Sequence, residues 1–332
     1  MNTTTAAPSI RGAQVMLARL VVRSWTAKRL DVNASTEVAK THTKEGLLPK
    51  DIGRFNKRLI LKDAVEFNRL LAIESEARQA FHHATLDYDG DGVRLLPVKA
   101  YLELVADYDA IKAKFESQRD RFLAKYPEYK EDARQALNGL FRESDYPTAE
   151  EMLASFSMKL MVWPFPEAHH FTVDSLPPAA AARIREQIEE SRLEALERSR
   201  DEITGRLREV IAHVCQRMEA VAGGGRLHDS TLDNLRETLD ILPKLNFLDD
   251  PKIADAISFA KAKLLPYSSN GVRANRALAF PIAAAAREVA AKIRAAGRAT
   301  ERGLCCHGQQ RKNAQGHTGS ATNARHRRLP LI

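Results

Sequence analysis

Between Pro177 and Val221 the sequence reads as one very long, heavily charged helix, and few folds can accommodate such an element. Pro177 and Pro178 stand where a helix can begin, because a first-turn proline gives up only an amide that would be unpaired anyway. No proline follows until Pro243, and the run ends at Gly223-Gly224-Gly225, three residues poorly suited to continuing it. At about 1.5 Å per residue the segment spans on the order of 60 Å, longer than a small domain is wide. Ile203, Leu207, Val210 and Val214 fall at three- and four-residue steps, followed by Met218 and Val221. A rod of this kind must bury that seam on a neighbouring helix or on a partner. Its nine acids and eight bases between Ala179 and Ala222 nearly cancel, the pattern of a solvated face with i,i+4 pairing.

A second helical seam precedes it. Tyr101, Tyr108, Phe115 and Phe122 recur every seventh residue, with Leu104 and Ile111 between them, which is the a and d spacing of a coiled coil. Gln118 and Lys125 take the next two d positions, so the seam weakens toward Pro127, which is expected to stop this helix and open another over 128–141. An aromatic stripe at that spacing indicates packing, not a cofactor box. Residues 63–84, 229–242, 251–264 and about 282–296 carry further helical periodicity, with Asp229 or Ser230 able to cap the second of these. Strands are expected at 15–25 and 156–162, where apolar residues alternate, and a third short one at 170–173 after the turn forced by Pro164 and Pro166.

The expected fold is therefore mainly α, with a long antiparallel helical hairpin, a coiled-coil-like arm pairing 99–126 with 179–222, and a small antiparallel β-sheet at its base. The chain divides on this reading into a flexible leader at 1–13, an α+β domain at 14–175, the long helix with a C-terminal helical region at 176–297, and a disordered basic tail at 298–332. With 44% hydrophobic and 28% charged residues, 332 residues suffice for one large or two modest cores.

The net charge of +8 suggests nucleic acid, but its distribution argues otherwise. Seven bases against one acid in 298–332 supply +6, leaving +2 for the body. Within the body Arg54, Lys57, Arg58 and Lys62 would share one side of a helix beginning at Asp51, a small phosphate-binding candidate with Phe55 interleaved. Three cysteines, two of them adjacent at 305 and 306, fit a reducing cytoplasm better than a disulfide framework. No apolar run reaches the roughly 18 residues needed to span a bilayer, so a cytoplasmic location without a membrane partner is expected.

The sharpest motif is Asp87-Tyr88-Asp89-Gly90-Asp91-Gly92, which matches the opening of an EF-hand calcium loop, with carboxylates at positions one, three and five and glycine at six. Position twelve, where a bidentate Glu belongs, is Val98, and Pro97 interrupts the following helix. Asp87, Asp89 and Asp91 thus stand as weak metal candidates, and a plain acidic turn between two helices is the better reading of them. His82-His83 and His169-His170 read as surface histidines, since neighbours in a helix or strand point to different sides. Cys215 lies beside Val214 and Met218 as an inert thiol. Adjacent Cys305 and Cys306, with His307, His317 and His326, are poorly spaced for structural zinc. No cofactor loop or nucleophile elbow occurs, and neither a catalytic residue nor a cofactor is assigned.

Ser24-Trp25-Thr26 with Lys28 and Asp31, Asn56-Lys57-Arg58-Leu59-Ile60, Arg94-Leu95-Leu96-Pro97 with Tyr101, and Asp145-Tyr146-Pro147 form an ordered series of landmarks. Phe156-Ser157, Leu242-Pro243-Lys244-Leu245-Asn246 and Asp249-Asp250-Pro251 continue it. Over residues 15–295 the series resembles a family of uncharacterised proteins of tailed bacteriophages and integrated prophages. The resemblance implies a phage-encoded cytoplasmic accessory protein and carries no catalytic residue with it. The expected function is non-enzymatic, through helix-mediated self-association, giving a homo-oligomer, or through binding of a host or phage protein. The alternatives are a nucleic-acid-binding factor in phage replication or recombination and a metal-dependent enzyme at the 87–92 loop.

Overall fold

The computed structural model describes residues 14–44, 49–173, 175–228 and 230–294. The expected leader and basic tail, and Asp229 as a cap, lie outside the described residues. The chain is mainly helical with a small antiparallel sheet, and it divides into two compact units. The first holds the chain up to Ile203 together with Asp240–Asp250, and the second holds Thr204–Leu239 and the chain from Pro251. The division falls inside the long helix, not ahead of it at 176.

The first unit is built around β1 (Val15–Arg23). Alternating side chains give this strand two faces, and Ala18, with Met16 and Leu20, enters a core shared with Phe81, Leu96, Ala100 and Leu104. After β1 come β2 (Lys28–Leu30), α1 (Val32–His42), α2 (Pro49–Ile52) and β3 (Asn56–Arg58). Then follow α3 (Val65–Ala84), β4 (Leu86–Asp87), β5 (Arg94–Pro97), α4 (Val98–Leu137), α5 (Ala149–Ser155) and β6 (Ser157–Pro164). The four-stranded sheet has the order β4-β5-β1-β6, and β2 pairs β3 separately. Along β1, Met16 faces Pro164 and Arg23 faces Ser157 on one side, while Val15 faces Pro97 and Ala18 faces Arg94 on the other. The strand expected at 170–173 is absent, because the double proline turn leads instead into a 3-10 turn at Ala168–His170.

The aromatic seam of α4 is buried against α3. Phe115 and Phe122, both fully enclosed, share a core with Phe67, Leu70, Ala77, Ile111 and Tyr126, and burying one such ring is worth roughly 2–3 kcal/mol. Tyr108 packs at its edge and donates from its hydroxyl to the Met158 carbonyl at 3.2 Å. Tyr101 packs beside Ala18 and Leu104. The two polar d positions have partners as well. Gln118 donates to the Glu66 carbonyl at 3.0 Å, and Lys125 reaches the Glu66 carboxylate at 3.1 Å. The Tyr129 hydroxyl, which donates to that carboxylate, and then Lys125 hold the Glu66 carboxyl down at about 2.

Pro127 does not end α4, which runs on for 40 residues. An interior proline costs about 3 kcal/mol or more through its missing amide and the clash with the preceding turn. Tertiary packing offsets that cost: Tyr126 is buried and donates to the Pro147 carbonyl, Ala133 is fully buried, and Lys130 pairs with Glu143.

The second half of the chain begins with α6 (Pro178–Ala222), the 45-residue helix anticipated above. It stops as the triglycine dictates: Gly224 takes φ +98°, and a side chain on Gly225 would meet the Ala220 carbonyl at 2.7 Å. Next come α7 (Ser230–Leu245), which contains Pro243, α8 (Pro251–Leu264), α9 (Ser269–Ala274) and α10 (279–294). In the second unit Glu219 of α6 accepts from Arg287 of α10, and Lys263 of α8 lies 2.9 Å from Glu288 of α10. Leu207, Val210, Val214 and Met218 are buried there, as are Ile282, Ala286, Val289 and Ile293 at helical spacing. Ile203, at the edge of the first unit, is equally enclosed.

Candidate functional site

The terminal segment of β6 borders an open concavity. Val162, Trp163 and Pro164 end β6 still paired with β1, and Pro166 prevents the strand from continuing, so Phe165 turns inward and packs edge-on against Tyr88 at 6.1 Å. With Val15 and Met16 of β1 and Val98 of α4, these residues line a groove of about 410 Å³ whose rim carries Glu167 and His170. Val98 and Leu102 lie one helical turn apart on α4, away from its α3-facing seam, and are 46% and 79% exposed. Val98 belongs to the groove lining, and Leu102 follows it one turn later as an exposed apolar side chain. β6 borders the groove, paired with β1 alone among the described residues.

The rim is set by the 3-10 turn. Backbone bonds from His170 N–H to the Glu167 carbonyl, 3.0 Å, and from Phe171 N–H to the Ala168 carbonyl, 3.2 Å, close it. Arg185 of α6 donates to the Phe171 carbonyl at 3.1 Å and ties the turn down. Glu167 is the extended residue that opens the turn, and His169 and His170 are its second and third residues. His169 and His170 meet there all the same. Their rings lie 4.0 Å apart, and His169 Nδ1 lies 3.1 Å from Glu167 Oε2.

The acidic loop between β4 and β5 has another role. Asp87 accepts from Gly90 N–H at 3.3 Å, and Asp89 accepts from Asp91 and Val93 N–H at 2.8 and 3.2 Å. Gly90 and Gly92 take φ values of +78° and +93° that only glycine adopts readily. These carboxylates close a hairpin turn, and Asp87 lies 3.9 Å from Arg94, whose other nitrogens reach Thr85 at 2.7 Å and Glu202 of α6 at 2.9 Å. Among the described residues, three metal-ligating side chains come within 4.8 Å of one another at Glu167, His169 and His170, not at Asp87, Asp89 and Asp91.

The basic patch is dispersed. Residues 56–58 form a strand, not a helix, so Arg54, Lys57, Arg58 and Lys62 do not share a helical face, and a period of two sends Lys57 inward while Arg58 faces out. Lys57 Nζ lies 3.1 Å from Asp31 and 2.7 Å from Asp145. Asp31 is also the N-cap of α1, accepting from Ala34 N–H at 3.0 Å. That amide first, and Lys57 second, hold its carboxyl below the usual carboxylate range. Cys215, partly enclosed, donates toward Glu219 at 3.4 Å, and burial pushes its thiol up.

The hairpin turn and the inward lysine were not legible as such because two short strands, β3 and β5, carry no alternation of their own. Compared with family models, curated proteins and solved structures, the chain matches none.

Proposed function

We propose that the chain is a non-enzymatic accessory protein of bacteriophage origin that works in the host cytoplasm by binding protein, in the first place a second copy of itself. The observation that carries this is the exposed apolar side chain of Leu102, one helical turn from Val98, which lines the groove beside β6. A contiguous exposed apolar surface rimmed by polar groups is the usual mark of an interaction site. The second copy is favoured as occupant because β6 presents an eight-residue strand at the sheet edge, and antiparallel pairing of that edge with itself about a two-fold axis continues the sheet.

In this proposal the long helices serve as an arm, as the coiled-coil-like hairpin of 99–126 with 179–222 anticipated. The seam of Tyr101, Tyr108, Phe115 and Phe122 is used inside the unit, so contact between copies falls to the faces it leaves open. Sedimentation or light scattering of the full chain tests the reading: a dimer is expected, reduced to monomer by Leu102→Glu. A strict monomer at tens of micromolar, or a dimer indifferent to that change, rejects it.

A further inference from the structure

We infer that Glu167, His169 and His170 form a transition-metal site of the zinc type on the rim of the groove. Two imidazoles and one carboxylate are the donor set of three-ligand zinc centres, which keep a fourth position for water or an incoming group. The donor atoms already lie within 4.8 Å of one another. A tetrahedron with bonds of about 2.0–2.1 Å needs its donors about 3.3 Å apart, so each must move by roughly an ångström or less. The two histidines are exposed and can make that adjustment by rotating about their side-chain bonds, while Glu167, on the groove lining, supplies the more enclosed anchor.

The backbone makes this more than a chance meeting of surface groups. Pro164 and Pro166 fix the approach, Phe165 is buried, and Arg185 holds the exit of the turn, so the three ligands project from a segment pinned at both ends. The inference does not rest on self-association at the groove, since three ligands come from one chain.

The test is calorimetric titration of the full-length, chelator-treated protein with zinc chloride, repeated with cobalt chloride while the visible spectrum of the ion is followed. One ion per chain is expected, with the tetrahedral cobalt spectrum. His169→Gln and His170→Gln should each weaken binding about tenfold or more. Both positions are exposed, so circular dichroism of the variants should match the parent. Zinc should further shield the two rings of the unaltered protein from diethyl pyrocarbonate, a readout that needs no variant. Absence of binding at millimolar zinc overturns the site. So does binding that survives both histidine changes and is lost in Cys305→Ser/Cys306→Ser.

Discussion

Lys57 and Asp31 form an ion pair 3.1 Å long whose side chains are only 2% and 1% exposed. Lys57 also donates to the Leu140 carbonyl at 2.6 Å, and Asp31 receives the Ala34 amide, so both charges are hydrogen-bonded beyond the pair. Removing Lys57 leaves Asp31 enclosed with only the Ala34 amide and the more distant Arg142, at 3.8 Å, to offset its charge. Lys57→Met should cost about 3–5 kcal/mol in urea unfolding at pH 7. A folded-state pKa lowered from 3.8 means that Asp31 contributes stability above that value and loses it as pH falls through the depressed one. The deficit of Lys57→Met should therefore shrink in unfolding curves taken below pH 3.8. A deficit that stays constant would assign the loss to packing of the lysine stem.

Glu74 has the opposite sign. Its carboxyl is buried on α3, receives the Ser24 hydroxyl at 3.1 Å on one oxygen, and leaves the other without a partner. Burial raises its pKa from 4.5, so the folded state holds the proton more tightly and the carboxylate opposes folding once pH exceeds 4.5. Glu74→Gln is expected to stabilise the protein by about 1 kcal/mol at pH 8. Thermal melts should show no gain at pH 4 or below.

Two residues of α4 separate packing from recognition. Phe122→Ala empties the core shared with Phe67 and Phe156 and should cost about 3–5 kcal/mol. Leu102→Ala removes a side chain 79% exposed and should change stability by no more than about 0.5 kcal/mol. Chemical denaturation of both variants gives the comparison. Equal losses would place Leu102 in a core.

Gly205 stands inside α6, beside the division between the two units at Ile203 and Thr204. A β-carbon there meets nothing within 4 Å. Gly205→Ala should therefore stabilise by about 0.5–1 kcal/mol through helix propensity alone, raising the melting temperature. A fall in melting temperature would show that the glycine serves a bend or a close approach in solution.

The long-period features were readable because they repeat. Forty-five residues without a breaker announce α6, and the alternation in Val15–Arg23 and Ser157–Pro164 announces β1 and β6. Short elements offered no such repetition. β5, four residues buried throughout, shows no polar alternation, and β3 is three residues long, so Lys57 looked like part of a basic helix face. The meeting of His169 with His170 sits on a 3-10 turn where a strand was expected, and residue spacing alone does not report it. Pro127 shows tertiary contacts overruling local preference, since the burial of Tyr126 and Ala133 and the bonds of Tyr126 and Lys130 hold α4 together past it.

Pro127 has a lasting effect on α4 even so. Having no amide, it cannot answer the carbonyl of Leu123 one turn earlier, and the ladder of the helix lacks a rung at that height. The turns on either side can consequently fray without dragging each other open. Solvent deuterium should enter the stretch beyond the proline on its own timetable, ahead of the amides locked under Phe115 and Phe122.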